Sequence, residues 1–277
     1  MRNAEEIAYW NDTAGARWAT WQERLDAMFA PITAAAVALA APQAGEAVLD
    51  VGCGCGETSL ELARAVGSGG RVVGVDVSEP MLAVANSRVR AARLDNVAFV
   101  SEDASSYAFK PAAFDLAFSR FGVMFFENPV DAFANIRHAL RPGGRIAFAC
   151  WRSLAENPWF RVPRDAVLPL VPPPPALDPE APGPMSFADP ARVRAVLTAA
   201  EFHDVRIDAF DPRISLGSPA TAVEFLLQIG AASRLLEGVD DGIRNAAAAR
   251  LEEVARTYET ATGVEFDAGI WLVSAMV

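Results

Sequence analysis

The residues whose types and spacing could do chemistry are concentrated between positions 50 and 76. Asp50 is followed by Gly52, Gly54 and Gly56 at every second position, and Asp76 stands 20 residues beyond the last of them. Glycines leave no side chain between backbone and ligand, so a nucleotide-like group can lie against the turn. The dinucleotide spacing G-x-G-x-x-G is not met: counting from Gly52, the third glycine's place is held by Glu57, and counting from Gly54 by Ser59. A carboxylate at Asp50 would also repel a pyrophosphate and attract a cation. Asp76 can accept hydrogen bonds from both hydroxyls of a ribose. No Ser/His/Asp order, metal spacing or paired-carboxylate site stands out, and the two histidines, His138 and His203, are expected at the surface. The pattern therefore describes binding and positioning, which alone can supply several kcal/mol toward transfer of an already activated group.

The elements that must hold these residues are read from hydrophobic periodicity. A short apolar run, 47–51, predicts a buried strand; the glycines break it, and 57–67 resumes with helical spacing. A second strand, 71–75, brings Asp76 to its end. Strand, glycine turn, helix and strand open a Rossmann-like sheet. In register, Asp50, the three glycines and Asp76 resemble motif I and the following acidic strand end of the class I S-adenosylmethionine-dependent methyltransferases. The stretch FDLAFSRFGVMFFENPVDAFANIRHALRPGGRIAFACW resembles their ubiquinone/menaquinone-biosynthesis-like branch, also called methyltransferase type 11. The resemblance covers 46–151 and says nothing of the acceptor.

That resemblance implies S-adenosylmethionine as cofactor, its ammonium and sulfonium near Asp50 and its product S-adenosylhomocysteine. The implied cofactor set comprises Asp50, Gly52, Cys53, Gly54, Gly56 and Thr58 on the turn, with Asp76 and Val77 after the second strand. Asp103 and Ala104 follow a third strand, 97–100, with Asp103 either on the adenine amino group or a solvated strand-end acid. Met81 packs either on the adenine or in the core. Ser119 ends a fourth strand, 114–118. An N-terminal helix covers the site in many such proteins, which adds Trp18 and Gln22; core packing of the Trp18, Trp21, Leu25 and Met28 face is the competing explanation. The loop 121–126 forms a hydrophobic substrate wall or a packed helix, and Phe121, Trp151 and Trp159 are candidates for that wall. Ser119-Arg120-Phe121-Gly122 stands where an amide- or adenine-methylating enzyme would carry (N/D)-P-P-Y, which weighs against base or glutamine methylation.

Composition sets the remaining bounds. With 277 residues, 52% hydrophobic and 21% charged, the chain suits one α/β domain plus a cap. A net charge of -11 and a single lysine, Lys110, argue against a nucleic-acid surface. Three cysteines give no disulfide framework, and Cys53 and Cys55 have no partners that complete a metal site. No apolar core of a signal peptide and no run near the ~18 residues of a membrane span is present, so a cytoplasmic protein is expected.

In chain order, 1–45 reads as a helical extension, 46–151 as the Rossmann-like core and 152–277 as the remaining strands with an inserted substrate cap (152–188 and 219–260). Pro142-Gly143-Gly144 stops a helix over 130–140, and strand 145–150 follows. Prolines at 172–175, 179, 182 and 184 predict loop-rich chain around a short helix near 161–170. Asp189 caps a helix to 200 with Pro190 at its first position; strand 205–210, helices 219–236 and 239–260, and a final strand 265–274 complete a doubly wound α/β sheet, mostly parallel with its last strand antiparallel. The expected function is methyl transfer to a small, partly apolar molecule at O, N, S or C. Cyclisation or another chemistry on the same fold, and non-catalytic cofactor binding, remain open, as does a monomer or homodimer.

Overall fold

The computed structural model describes residues 3–174, 178 and 180–277. At its centre β1 (Ala47–Val51) is buried at every position and runs parallel to β2 (Arg71–Asp76) on one side and β4 (Phe114–Arg120) on the other. A strand covered on both faces needs a nearly continuous apolar run, which Ala47 to Val51 supplies apart from Asp50. β3 (Val97–Ser101) continues the sheet beyond β2; β5 (Leu140–Trp151), β10 (Ile270–Met276) and β6 (His203–Phe210) continue it beyond β4. The order is β3-β2-β1-β4-β5-β10-β6, with β10 antiparallel to both neighbours. The fold is a Rossmann-like α/β sheet, mostly parallel. The chain leaves β1 toward β2 and returns to β4, so the crevice at the carboxyl ends of β1 and β4 is the switch point where such sheets bind ligands.

The crossover helices are α4 (Glu57–Val66), α5 (Glu79–Ala92), α6 (Pro129–Ala139) and α8 (Pro190–Ala199). The N-terminal segment forms α1 (Asn3–Asn11), α2 (Thr13–Thr20) and α3 (Gln22–Ala40). α3 packs on β4, β5 and β10 and buries Leu25, Met28, Phe29 and Ile32. The remaining helices, α7 (Pro158–Val167), α9 (Pro219–Leu226), α10 (Ala231–Leu235) and α11 (Asp241–Thr257), include three pairs that pack on one another, α7 with α10, α7 with α11 and α9 with α11. A small second sheet joins β7 (Arg213–Ser215), β9 (Gly263–Asp267) and β8 (Glu259–Thr260).

Four expectations are corrected. The tryptophan stripe is not one helix face: Trp21 leaves helical geometry (φ -93°, ψ 11°) between α2 and α3, and its ring meets Phe225 edge-on at 5.6 Å. The last strand is two, in different sheets, because the Ala268 and Gly269 amides turn away to Pro212 O (2.9 Å) and Asn157 Oδ1 (3.0 Å). The helix expected over 219–236 breaks at Gly230, whose φ of +95° is left-handed. Asp189 does cap α8, accepting from the Ala191 amide, but the Ser78 hydroxyl does not cap α5 and instead donates to Trp10 O at 2.7 Å. Of the prolines expected in irregular chain, Pro175 and Pro179 lie outside the described residues.

The loops after β1 and β4 approach almost in contact. A Cβ on Gly122 would lie 2.7 Å from Val51 O and 2.8 Å from the Gly52 Cα. Neither backbone atom can yield without moving β1. Gly122→Ala is therefore expected to destabilise the protein by about 1–3 kcal/mol, the cost of overpacking a tight contact. Gly69→Ala, whose Cβ would meet only the Gly45 Cα at 3.9 Å, should change stability by less than about 0.5 kcal/mol. Urea unfolding of the two variants checks this; equal midpoints would mean that the two loops have room to part.

Candidate cofactor and acceptor site

The turn after β1 is assembled from below by a buried acid. Asp50 is fully buried, and its Oδ2 accepts hydrogen bonds from Thr58 Oγ1 (2.7 Å) and Ser59 Oγ (2.6 Å) in the first turn of α4. Its Oδ1 has no hydrogen-bond partner. Burial pushes the Asp50 carboxyl up to about 6, against the hydrogen bonds from Ser59 and Thr58 and the Arg120 guanidinium. All three glycines adopt left-handed backbone, Gly52 at φ 69°, Gly54 at 53° and Gly56 at 80°. They do different work. Gly52 faces Gly122, and a Cβ on Gly56 would press into Ala85 and Phe99, so both serve packing. Gly54 alone faces open space, its nearest would-be contact the Met81 sulfur at 3.7 Å.

Asp76, at the end of β2, is also buried, and burial raises its pKa. Oδ2 accepts from the Gly54 amide (2.8 Å) and Oδ1 from the Ser78 amide (2.9 Å). The Val77 backbone amide bonds the carboxylate as well, and Asp76 lines a cavity that runs over the carboxyl ends of β1, β2 and β4. The same cavity is lined by Gly52, Cys53, Gly54, Thr58, Val77, Met81, Asp103, Ala104, Trp18, Gln22 and Phe121. Asp50, Gly56 and Ser119 do not reach its wall. Ser119 is spent between the loops, donating to Val51 O at 2.8 Å and accepting from the Gly122 amide at 3.2 Å.

Trp151 and Trp159 do not reach it either. Trp151 stacks on Phe121 (4.3 Å, 6° between planes) and Trp159 lies 3.8 Å from Phe160; both are packed behind Phe121 and Phe29. Among the described residues, none of 152–188 or 219–260 lines it. The cover comes from the N-terminal helices, which contribute Glu6, Ile7, Trp10, Trp18, Gln22, Leu25 and Asp26. Asn11 clasps α1 to the β2–α5 loop, donating to Val77 O (2.7 Å) and accepting from the Glu79 amide (3.0 Å).

Two ion pairs missed in the sequence brace this cover. Arg120 Nη1 donates to Glu57 Oε2, at the start of α4, and to Thr33 Oγ1 of α3 at 2.6 Å. Arg88 Nη2 donates to Asp26 Oδ2 of α3 (2.7 Å) and Nη1 to Cys55 O of the turn (2.8 Å); Gln22 also bonds Asp26. Burial raises the Glu57 pKa despite Arg120, and pushes the Cys55 thiol to about 12, so it is no thiolate. The partners lie 62 and 63 positions apart, so no local spacing signals them. His138 and His203 are exposed. Among the described residues no group of three or more His, Cys, Asp or Glu could hold a metal ion, and no helix is long and apolar enough to cross a membrane.

Around the cavity stand six carboxylates, Glu6, Asp26, Glu57, Asp76, Glu102 and Asp103, against one guanidinium, Arg120. Such a wall favours a cationic ligand and opposes a pyrophosphate. Residues 48–144 match the family described as "Methyltransferase domain". Over this domain the chain is similar to class I S-adenosylmethionine-dependent methyltransferases, several of them of the menaquinone-like branch. It is 34% identical over 145 residues to aklanonic acid methyltransferase DauC of Streptomyces sp. (strain C5), covering 52% of this chain and 61% of that one. It is 36% identical over 104 residues to a demethylmenaquinone methyltransferase of Shouchella clausii, covering 38% and 44%. The chain thus spans about two-fifths to three-fifths of the length of these curated relatives. The fold resembles the YcgJ protein of Bacillus subtilis, with a TM-score of 0.59, 17% identity, and 88% of this chain and 97% of that one covered.

Asp50 has a consequence for the methyltransferase domain that can be measured without ligand. Its folded pKa of about 6 exceeds the ordinary aspartate value of 3.8, so the folded state holds the proton more tightly. That stability is present below the unfolded pKa and is lost as pH rises through the folded one. Between pH 4 and pH 7 the wild type should lose about 2–3 kcal/mol relative to Asp50→Asn, the linkage equivalent of that shift. Urea unfolding of both proteins at several pH values checks it; parallel curves would place the Asp50 carboxyl at an ordinary pKa.

Proposed function

We propose that this protein transfers a methyl group from S-adenosylmethionine to a small, partly apolar acceptor. The observation that carries this reading is the cavity at the switch point, with the open face of Gly54 at its floor, the Asp76 carboxylate at one end and aromatic rings at the other. The residues present fit the cofactor. A Cβ at Gly54 would project into the space the ligand needs, and the Asp76 carboxylate on the cavity wall suits a ribose hydroxyl. Val77 and Met81 would flank the adenine, with Asp103 and Ala104 at its edge. Gly52, Cys53 and Thr58 would run beside the amino-acid end, with Trp18 and Gln22 above it. Asp50 acts from beneath the turn, holding its shape through Thr58 and Ser59, and Gly56 and Ser119 hold the loops together.

When bound, S-adenosylmethionine supplies a methyl group already activated on a sulfonium. The protein's work is then alignment and exclusion of water. Phe121, Trp10, Trp18 and Phe125 present an apolar surface that orders the acceptor, as walls of small-molecule sites do. Phe121 is held there in left-handed backbone (φ 71°) by its amide bond to Ala149 O (3.0 Å) and by the Trp151 ring. That conformation costs a non-glycine residue about 1–2 kcal/mol, so the stack behind it maintains the wall. In this reading Trp151 and Trp159 support the acceptor wall from behind.

Binding separates this reading from a dinucleotide enzyme. S-adenosylhomocysteine should raise the melting temperature and NAD should not. Asp76→Ala should weaken S-adenosylhomocysteine by about 1.5–3 kcal/mol in calorimetric titration, the usual range for a hydrogen bond to a charged group. An equal thermal shift with NAD, or an unchanged affinity in the variant, would refute the placement.

A further inference from the structure

On the cavity wall Asp76 shapes the turn, and Glu57 and Asp26 are paired with Arg120 and Arg88. Glu6 takes a hydrogen bond from the Trp10 side chain and faces Arg234, and neither contact belongs to the turn. It lies on α1 one residue before Ile7 and four before Trp10, and all three line the cavity. Residues spaced i and i+4 share a helix face, so this face of α1 is turned inward. Glu6 Oε2 is buried without a hydrogen-bond partner. Its nearest ion-pair partner, Arg234, stands at 4.0 Å from Oε1, is half exposed, and leans on the Tyr9 ring with its guanidinium 4.7 Å from the centroid. Burial raises the Glu6 pKa against the pull of Arg234 and the nearby Trp10 indole.

Next to Glu6 the wall is aromatic, and its rings meet at right angles. Trp10 crosses Trp18 at 76° with centroids 5.6 Å apart, and crosses Phe125 at 88° and 5.4 Å. All three rings, with Phe121, line the cavity. Parallel rings make a slot for a flat group, whereas perpendicular rings enclose a rounded one. A box of aromatic rings with a carboxylate at its side attracts a desolvated ammonium through ring quadrupoles and charge together.

We propose that the acceptor held in this cavity carries an amine, bound as an ammonium by Glu6 within the box of Trp10, Trp18 and Phe125. The proposal rests on the methyltransferase reading for its chemistry. For an amine acceptor the step balances simply. The ammonium gives one proton to the Glu6 carboxylate, the freed nitrogen lone pair forms the N–CH3 bond, and the S–CH3 electrons remain on the sulfur of the methylsulfonium cofactor. A quaternary product stays cationic, and a lesser-substituted one sheds its extra proton to water.

Two probes of the same shape test it: 4-hydroxyphenyltrimethylammonium and 4-tert-butylphenol, which differ in charge at one centre. Each is titrated by tryptophan fluorescence, with and without S-adenosylhomocysteine. The wild type should bind the ammonium at least about tenfold more tightly than the neutral probe, the scale expected of a desolvated cation on aromatic faces. Glu6→Gln should reduce that preference to less than about threefold, while Glu6→Asp should retain part of it, which a merely structural loss would not allow. Equal binding of the two probes by the wild type, or an unchanged preference in Glu6→Gln, would overturn the proposal. Because the preference is also read without S-adenosylhomocysteine, failure of that ligand to bind would count against the cofactor reading alone.

Discussion

The carboxylate of Asp50 beneath the glycine turn is the interaction on which the site depends. It is buried in the middle of an otherwise apolar strand, and the two hydroxyls it accepts from belong to the first turn of α4. Strand and helix are thus joined side chain to side chain under a turn whose own residues include three glycines. With that floor set, the Gly54 amide reaches Asp76 and the Gly52 backbone meets Gly122. The negative charge also lies under the amino end of α4, where the helix dipole favours an anion. Its unpartnered oxygen is a cost retained in the fold, and the raised pKa expresses that cost.

Above this floor the cavity divides by chemistry. One end, around Asp76, Val77 and Met81, offers hydrogen-bond acceptors beside an apolar face. The other, around Trp10, Trp18, Phe121 and Phe125, is aromatic. Between them Arg120 and Arg88 pair with Glu57 and Asp26 and tie α3 to three separate elements, α4, β4 and α5. Partly buried pairs of this kind are weak evidence of stability in themselves, but breaking one would strand a charge. Their evident effect here is positional, since α3 carries Gln22, Leu25 and Asp26 to the cavity wall.

The sheet was legible in the sequence because its strands are short apolar runs bounded by glycines, prolines and polar turns, a pattern local in the chain. The glycine turn and Asp76 were legible for the same reason, and both occupy one site in the structure. What sequence spacing did not carry is tertiary. Arg120 and Glu57 meet across 63 positions, and Glu6 lines the cavity from α1, which Asn11 ties to the β2–α5 loop. Trp151, at the end of β5, and Trp159 were candidates for the acceptor wall, yet both are consumed by ring packing behind Phe121. The final strand read as one because its apolar alternation runs through Ala268 and Gly269, where two amide bonds to other segments turn the chain.

The central claim is that one cavity holds the cofactor across β1 and β2 and presents its sulfur to the aromatic end. A crystal structure of the protein with S-adenosylhomocysteine tests it most directly. The account predicts the ribose diol on the Asp76 carboxylate, the amino-acid end along Gly52 to Gly54, and the sulfur facing the space between Phe121 and Trp18. Ligand density outside this cavity, or with the adenine at the Glu57–Arg120 end, would contradict it.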